Sequence, residues 1–200
     1  MKHLASFTVI MACALFITAC NGAKTETTNS DIQNEATEQN HTNSAQIQDT
    51  NGKVSLAVDG VNYVIDNVDA ESSFLMFYSE GSSMGHDANL ELVSGNNDKR
   101  LSVIIDGLQG KGKESLTGEV RFEETSSLVS FKEGELQINF TEGLLRIEEV
   151  SKKSGSVKLK ASGKCTVKKG SSFKDMKVDV PAQLVMEATF ANVKTSDFKK

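Results

Sequence analysis

The sequence predicts an all-β domain, an antiparallel β-sandwich with a lipocalin-like β-barrel as the alternative, preceded by a disordered tether. Three observations carry this. From Gly52 onward apolar residues recur at every second position, the period of half-buried strands. The alternating runs are short and punctuated by Gly, Asn and Asp at near-regular spacing, as in sandwiches and barrels. No stretch of the domain long enough for a stable helix keeps helical spacing.

In chain order, the first segment stands apart from the domain. Lys2 and His3 make a short polar lead, Leu4 to Phe16 an apolar run, and Ile17-Thr18-Ala19-Cys20 reads as a bacterial lipobox. In that motif a small residue before the Cys admits a signal peptidase, and the thiol carries a diacylglyceryl group. The run is too short and too weakly flanked for a stable membrane span. The expected organisation is therefore a signal peptide over 1–19, lipidated Cys20 with a tether over 20–52, an all-β domain over 53–193 and a tail over 194–200. Residues 21–50 are rich in Asn, Thr, Gln, Ser and Glu and cannot bury enough surface to offset ordering entropy. As a flexible chain they reach roughly 30 Å. Asn21 stands where an Asp would signal inner-membrane retention, which points to the outer membrane of the cell envelope.

Within the domain, Val54, Leu56 and Val58 alternate with polar or small residues, Asp59-Gly60 follows, and Val61, Tyr63 and Ile65 alternate again. An Asp-Gly loop favours a type I′ turn, pairing Val58 with Val61, Leu56 with Tyr63 and Val54 with Ile65, all six on one face. Phe74 to Tyr78 is apolar on both faces and reads as a central strand. Leu90 and Leu92 lead through Gly95-Asn96-Asn97-Asp98 to Leu101, Val103 and Ile105, a second hairpin. Further alternating runs are Leu116 to Phe122, Leu136 to Phe140, Leu145 to Ile147, Val157 to Val167 and Leu184 to Phe190. The single proline, Pro181, predicts an edge or corner.

Composition removes several classes of function. The net charge is -5, and -6 once Lys2 leaves with residues 1–19. Nucleic acid is therefore not an expected partner, because phosphate binding needs a concentrated basic excess. Cys13 leaves with the signal peptide and Cys20 takes lipid, so Cys165 is the one remaining thiol and no intramolecular disulfide forms. One histidine and one thiol in the domain cannot build a Cys/His zinc site, and no cofactor is expected. Asp66, Asn67 and Asp69 offer oxygen ligands for calcium but lack the EF-hand spacing, and a solvated turn accounts for them.

Two segments imitate catalytic motifs. Gly81-Ser82-Ser83-Met84-Gly85 fits the G-x-S-x-G nucleophile elbow, with His86 and Asp87 next in line. The elbow needs a helix after its turn, whereas Asn89 to Ser94 reads as a strand, so a flexible Gly/Ser loop is expected. Gly107 to Glu114 resembles a phosphate-binding P-loop, but Glu114 replaces the Ser or Thr that would hold magnesium and would repel phosphates. A glycine-lysine turn between strands is expected there. Cys165 should face the core. Lys158, Lys160, Lys164 and Lys168 line the other face of the same strand, 6 to 7 Å apart per alternate position by the usual strand rise of about 3.3 Å. That stripe is the candidate site for an anionic envelope polymer. The alternative is a solvated face neutralised by neighbouring glutamates such as Glu148 or Glu187.

Gly143-Leu144-Leu145-Arg146-Ile147-Glu148-Glu149-Val150, the basic turn at Lys152-Lys153, the strand from Ser156 to Gly163 and the closing run from Leu184 to Val193 resemble the tail of small Bacteroidota lipoproteins of unknown function. Leu159, Ala161 and Ala191 depart from that family's pattern. The resemblance implies an all-β envelope domain without a catalytic signature. The expected function is a membrane-anchored, non-enzymatic binding or structural module. Its expected partners are membrane lipid through acylated Cys20 and an envelope protein or anionic polymer. The alternatives are a carrier of a small apolar ligand lined by Phe74, Phe77 and Phe122, and a hydrolase using Ser83 and His86.

Overall fold

Among the described residues alternation becomes eleven strands: β1 Asn51–Val58, β2 Val61–Ile65, β3 Phe74–Tyr78, β4 Ala88–Val93, β5 Lys99–Ile105, β6 Ser115–Arg121, β7 Leu128–Glu133, β8 Leu136–Ser151, β9 Ser156–Lys169, β10 Lys177–Thr189 and β11 Val193–Ser196. The computed structural model describes residues 49–172 and 174–197. The expected signal peptide, Cys20, His41 and the expected tether up to residue 48 lie outside the described residues. The first strand begins at Asn51, and β11 occupies residues placed in the expected tail.

All strands join one sheet in the order β11-β3-β4-β5-β7-β8-β9-β10-β1-β2, with β6 pairing β8 beside that path. Every pairing is antiparallel except β11 with β3. The path ends at β11 and β2, so the sheet is open. It nevertheless folds over itself: Tyr63 on β2 lies 5.5 Å from Phe131 on β7, five places along the path. Lys99 on β5 also reaches the Val64 carbonyl of β2 at 3.1 Å. The apolar faces thus close on one core that includes Leu56, Phe77, Leu90, Val103, Phe131, Ile138, Leu159 and Leu184.

The first hairpin has the expected register, Val58 with Val61, Leu56 with Tyr63 and Val54 with Ile65. Its faces are less uniform. Val61 is 51% exposed, because it stands at the tip of an edge strand with a neighbour on one side only. The β4–β5 hairpin also forms as read. Phe74–Tyr78 is not central but second from the end of the path, made two-sided by the short strand β11. Pro181 lies inside β10, an interior strand of the sheet, but pairs with β9 alone, one residue beyond the end of β1 at the corner where the first hairpin turns. Its carbonyl accepts the Asp59 N–H at 3.4 Å. In an antiparallel strand a residue's N–H and C=O point the same way, so the missing donor faces the place where β1 has already turned.

The runs Leu136 to Phe140 and Leu145 to Ile147 are one strand. Register shifts against β9 at Phe140/Glu142 and Ile147/Glu149 break the alternation between them. The first half of β8 pairs β7 and the second half pairs β6. Beside the first shift, Gly143 lies opposite Gly163. A Cβ on Gly143 would come 2.2 Å from the Ser162 carbonyl, and one on Gly163 would come 2.0 Å from that of Glu142. Two backbones approach so closely here that only glycine fits on either side.

Candidate functional site

The strand period decides what β9 shows to solvent. Val157, Leu159, Ala161 and Cys165 are buried, whereas Lys158, Lys160, Ser162 and Lys164 are exposed. Burial pushes the Cys165 thiol up to about 11, so it behaves as an inert apolar group. The lysines do not stand alone. Lys160 Nζ sits 2.6 Å from Glu148 Oε1 and Lys164 Nζ 2.7 Å from Glu142 Oε2, both partners on β8. Lys158 lies in register with Glu187 on β10 and Glu149 on β8. Lys168 faces Gln137 at the far end of the strand. The Lys160 ammonium holds the Glu148 carboxyl below the usual carboxylate range, and Glu142 raises Lys164. Arg146 extends the ladder to Glu119 on β6 at 2.6 Å. The outer face is thus a lattice of opposite charges in contact rather than a field of one sign.

A trough crosses this lattice. One hollow of about 450 Å³ is lined by Ala57, Asp59, Ser162, Gly163, Pro181 and Gln183. A second of about 300 Å³ is lined by Leu144, Arg146, Lys160, Ser162, Gln183 and Val185. The two share Ser162 and Gln183, which are register partners on β9 and β10. Gly163, Ala57 and Ser162, with little or no side chain, leave the floor low, while Val185, 45% exposed, stands at one side. Ser162 belonged to the alternation read from the sequence. Gln183 did not stand out, and its only signal was an outward position in β10.

The two catalytic look-alikes fold against each other. Ser83 is exposed, and no hydrogen bond joins it to His86 among the described residues. His86 instead packs edge-to-face with Tyr78, centroids 6.2 Å apart, and its buried Nδ1 lacks a partner among the described residues. Strand β4 follows at once, where an elbow would have a helix. Asp87 points to the other motif: its carboxylate accepts the N–H groups of Leu108 and Gly110. Glu114 pairs with Lys152 at 3.2 Å, and the strand after it is β6.

The acidic turn read for calcium is similarly occupied. Asp69 accepts N–H groups from Glu71 and Ser72 and the Ser72 hydroxyl, which lowers its pKa. A hollow of about 260 Å³ brings Asp66, Asn67, Asn96 and Asp98 together, but the Lys99 ammonium lines it too, 3.5 Å from Glu133. No group of three metal-ligating side chains occurs among the described residues. Phe77 and Phe122 are packed into the core, Phe122 with its ring 5.5 Å from Phe140, whereas Phe74 is only half-buried. Among the described residues no helix is long and apolar enough to cross a membrane. The chain matches no family model, no curated protein and no solved structure.

Proposed function

We propose that the protein is an envelope lipoprotein, acylated at Cys20, whose β domain is a non-enzymatic module that binds another protein through the trough on β8, β9, β10 and β1. One observation carries this reading. The Ser162 hydroxyl and the Gln183 amide lie side by side in the trough with no partner among the described residues, amid charges already paired. Unpaired hydrogen-bonding groups beside an exposed Val185 suit a polar protein surface. The pairing of Lys160 and Lys164 with glutamates works against an anionic polymer, which would have to displace those carboxylates. Lipidation fits the lipobox, and tethering near a membrane favours binding by raising local concentration.

The test is a photo-reactive residue placed at Gln183, or at Lys132 on β7 as a control, in intact cells. The expected result is a discrete protein adduct from Gln183 and none from Lys132. Equal adducts from both, or none from either, would overturn the reading. A variant with Lys158, Lys160, Lys164 and Lys168 all changed to Glu separates the polymer: if that variant loses an anionic partner the wild type retains, the polymer takes the protein's place. An alkyne fatty acid should label the wild type and not Cys20→Ser.

A further inference from the structure

The Gly107–Gly112 turn has the composition of a phosphate-binding loop, yet its amides already hold an anion of the protein's own. Asp87 is 3% exposed. Its Oδ2 accepts the Leu108 N–H at 2.8 Å and its Oδ1 accepts the Gly110 N–H at 2.7 Å. Gln109, between them, has a φ of 51°, and this left-handed step lets the amides on either side converge on one point, as in a backbone nest. Both bonds are as short as charge-assisted ones.

The carboxylate and the turn are each fixed from behind. The Asp87 N–H donates to the Ile105 carbonyl at 2.8 Å, and its own carbonyl accepts the Tyr78 N–H at 3.2 Å, which sets Asp87 at the ends of β3 and β5. The turn is anchored by the Gly112 N–H on the Tyr78 carbonyl at 2.9 Å and by Lys111 Nζ on the Ser82 carbonyl at 3.3 Å. An open hollow of about 390 Å³ reaches Asp87 from solvent, lined also by Glu80, Asp106, Gln109 and Lys111. Glu80 and Asp106 repel an incoming anion, with Lys111 the opposing charge, so a tethered carboxylate holds the site where a free one would be at a disadvantage.

We propose that the Gly107–Gly112 turn is a small-oxyanion site which Asp87 fills as a built-in ligand, and which a free carboxylate the size of formate takes over when that side chain is removed. Asp87→Ala deletes one carboxylate and leaves two amides without acceptors, and formate restores the missing carbon and both oxygens. The test is amide hydrogen exchange at Leu108 and Gly110 in the full-length protein, with sodium formate against sodium chloride at matched ionic strength. Asp87→Ala should exchange at least about tenfold faster than wild type at both amides, as buried donors stripped of a charged acceptor do. Formate should slow it saturably, chloride should not, and the wild type should respond to neither. Unchanged exchange in Asp87→Ala, or fast exchange that formate leaves fast, overturns the proposal. If Asp87→Ala does not fold, Asp87→Asn keeps the volume and removes the charge. It should exchange faster at one or both amides and ignore formate, and wild-type rates at both would overturn the proposal equally.

Discussion

The turn at Asp59–Gly60 and the crossing of Gly143 with Gly163 both require glycine, the first for its backbone angle alone and the second for its lack of a Cβ as well. At the turn the requirement is conformational: Asp59 and Gly60 have φ of 51° and 78°, and a Cβ on Gly60 would meet nothing within 4 Å. At the crossing a spatial requirement is added to the conformational one: Gly143 and Gly163 have φ of 120° and 154°, and each missing Cβ would also overlap the other strand's backbone. The turn is specified by two adjacent residues and serves one hairpin. The crossing joins residues far apart in sequence, at the point where β8 passes from pairing β7 to pairing β6. Local geometry therefore closes one pair of strands, and a non-local contact lets one sheet wrap its own core.

This contrast breaks first at Gly163. Gly163→Ala must push β8 and β9 apart, since the obstructing atoms are backbone and cannot rotate away. The expected loss is roughly 3 to 5 kcal/mol of unfolding free energy by denaturant titration, combining overpacking with a strained backbone. A loss under about 1 kcal/mol, ordinary for a tolerated substitution, would show that the strands can separate freely. Gly60→Ala is the sharpening partner. With open space around it, only the left-handed φ is penalised, so the expected loss is about 1 to 2 kcal/mol. Equal losses at both glycines would erase the distinction between them.

The same division governs how much of the molecule was legible. The β1–β2 and β4–β5 hairpins could be read because alternation and turn residues adjoin in sequence. Strand β8 read as two pieces because its register shifts throw the alternation out of phase. Strand β7 escaped notice although Val129 and Phe131 are its buried pair, since only two apolar alternations mark it. Strand β11 is Val-Lys-Thr-Ser, with nothing apolar beyond its first residue, and only its backbone ladder on β3 makes it a strand. At the candidate site the outward lysines and the inward Cys165 followed from period two. Glu148 and Glu187 stand out in the sequence as glutamates that could neutralise the stripe, but which lysine each meets depends on the register of β8, β9 and β10. The role of Asp87 was hidden, because the amides it holds come from Leu108 and Gly110, across the β4–β5 hairpin.

The smallest effect is expected on the outer face of the same strand that carries Gly163. Lys160 and Glu148 meet at 2.6 Å, but both side chains are substantially exposed, at 53% and 38%. Water screens such a pair, and ordering two long side chains opposes most of what their attraction contributes. Changing both, to Lys160→Gln with Glu148→Gln, removes the attraction without leaving an orphaned charge. The midpoint of thermal unfolding should stay where it is in the wild type, at low and at high salt alike. A clear fall confined to low salt would mean that the charge lattice holds the sheet together, and would undercut its assignment as surface left for a partner. An unchanged midpoint leaves this pair with no part in folding. Lys160 and Gly163 then stand three positions apart on β9, on alternate faces of the strand, one dispensable to the fold and the other not.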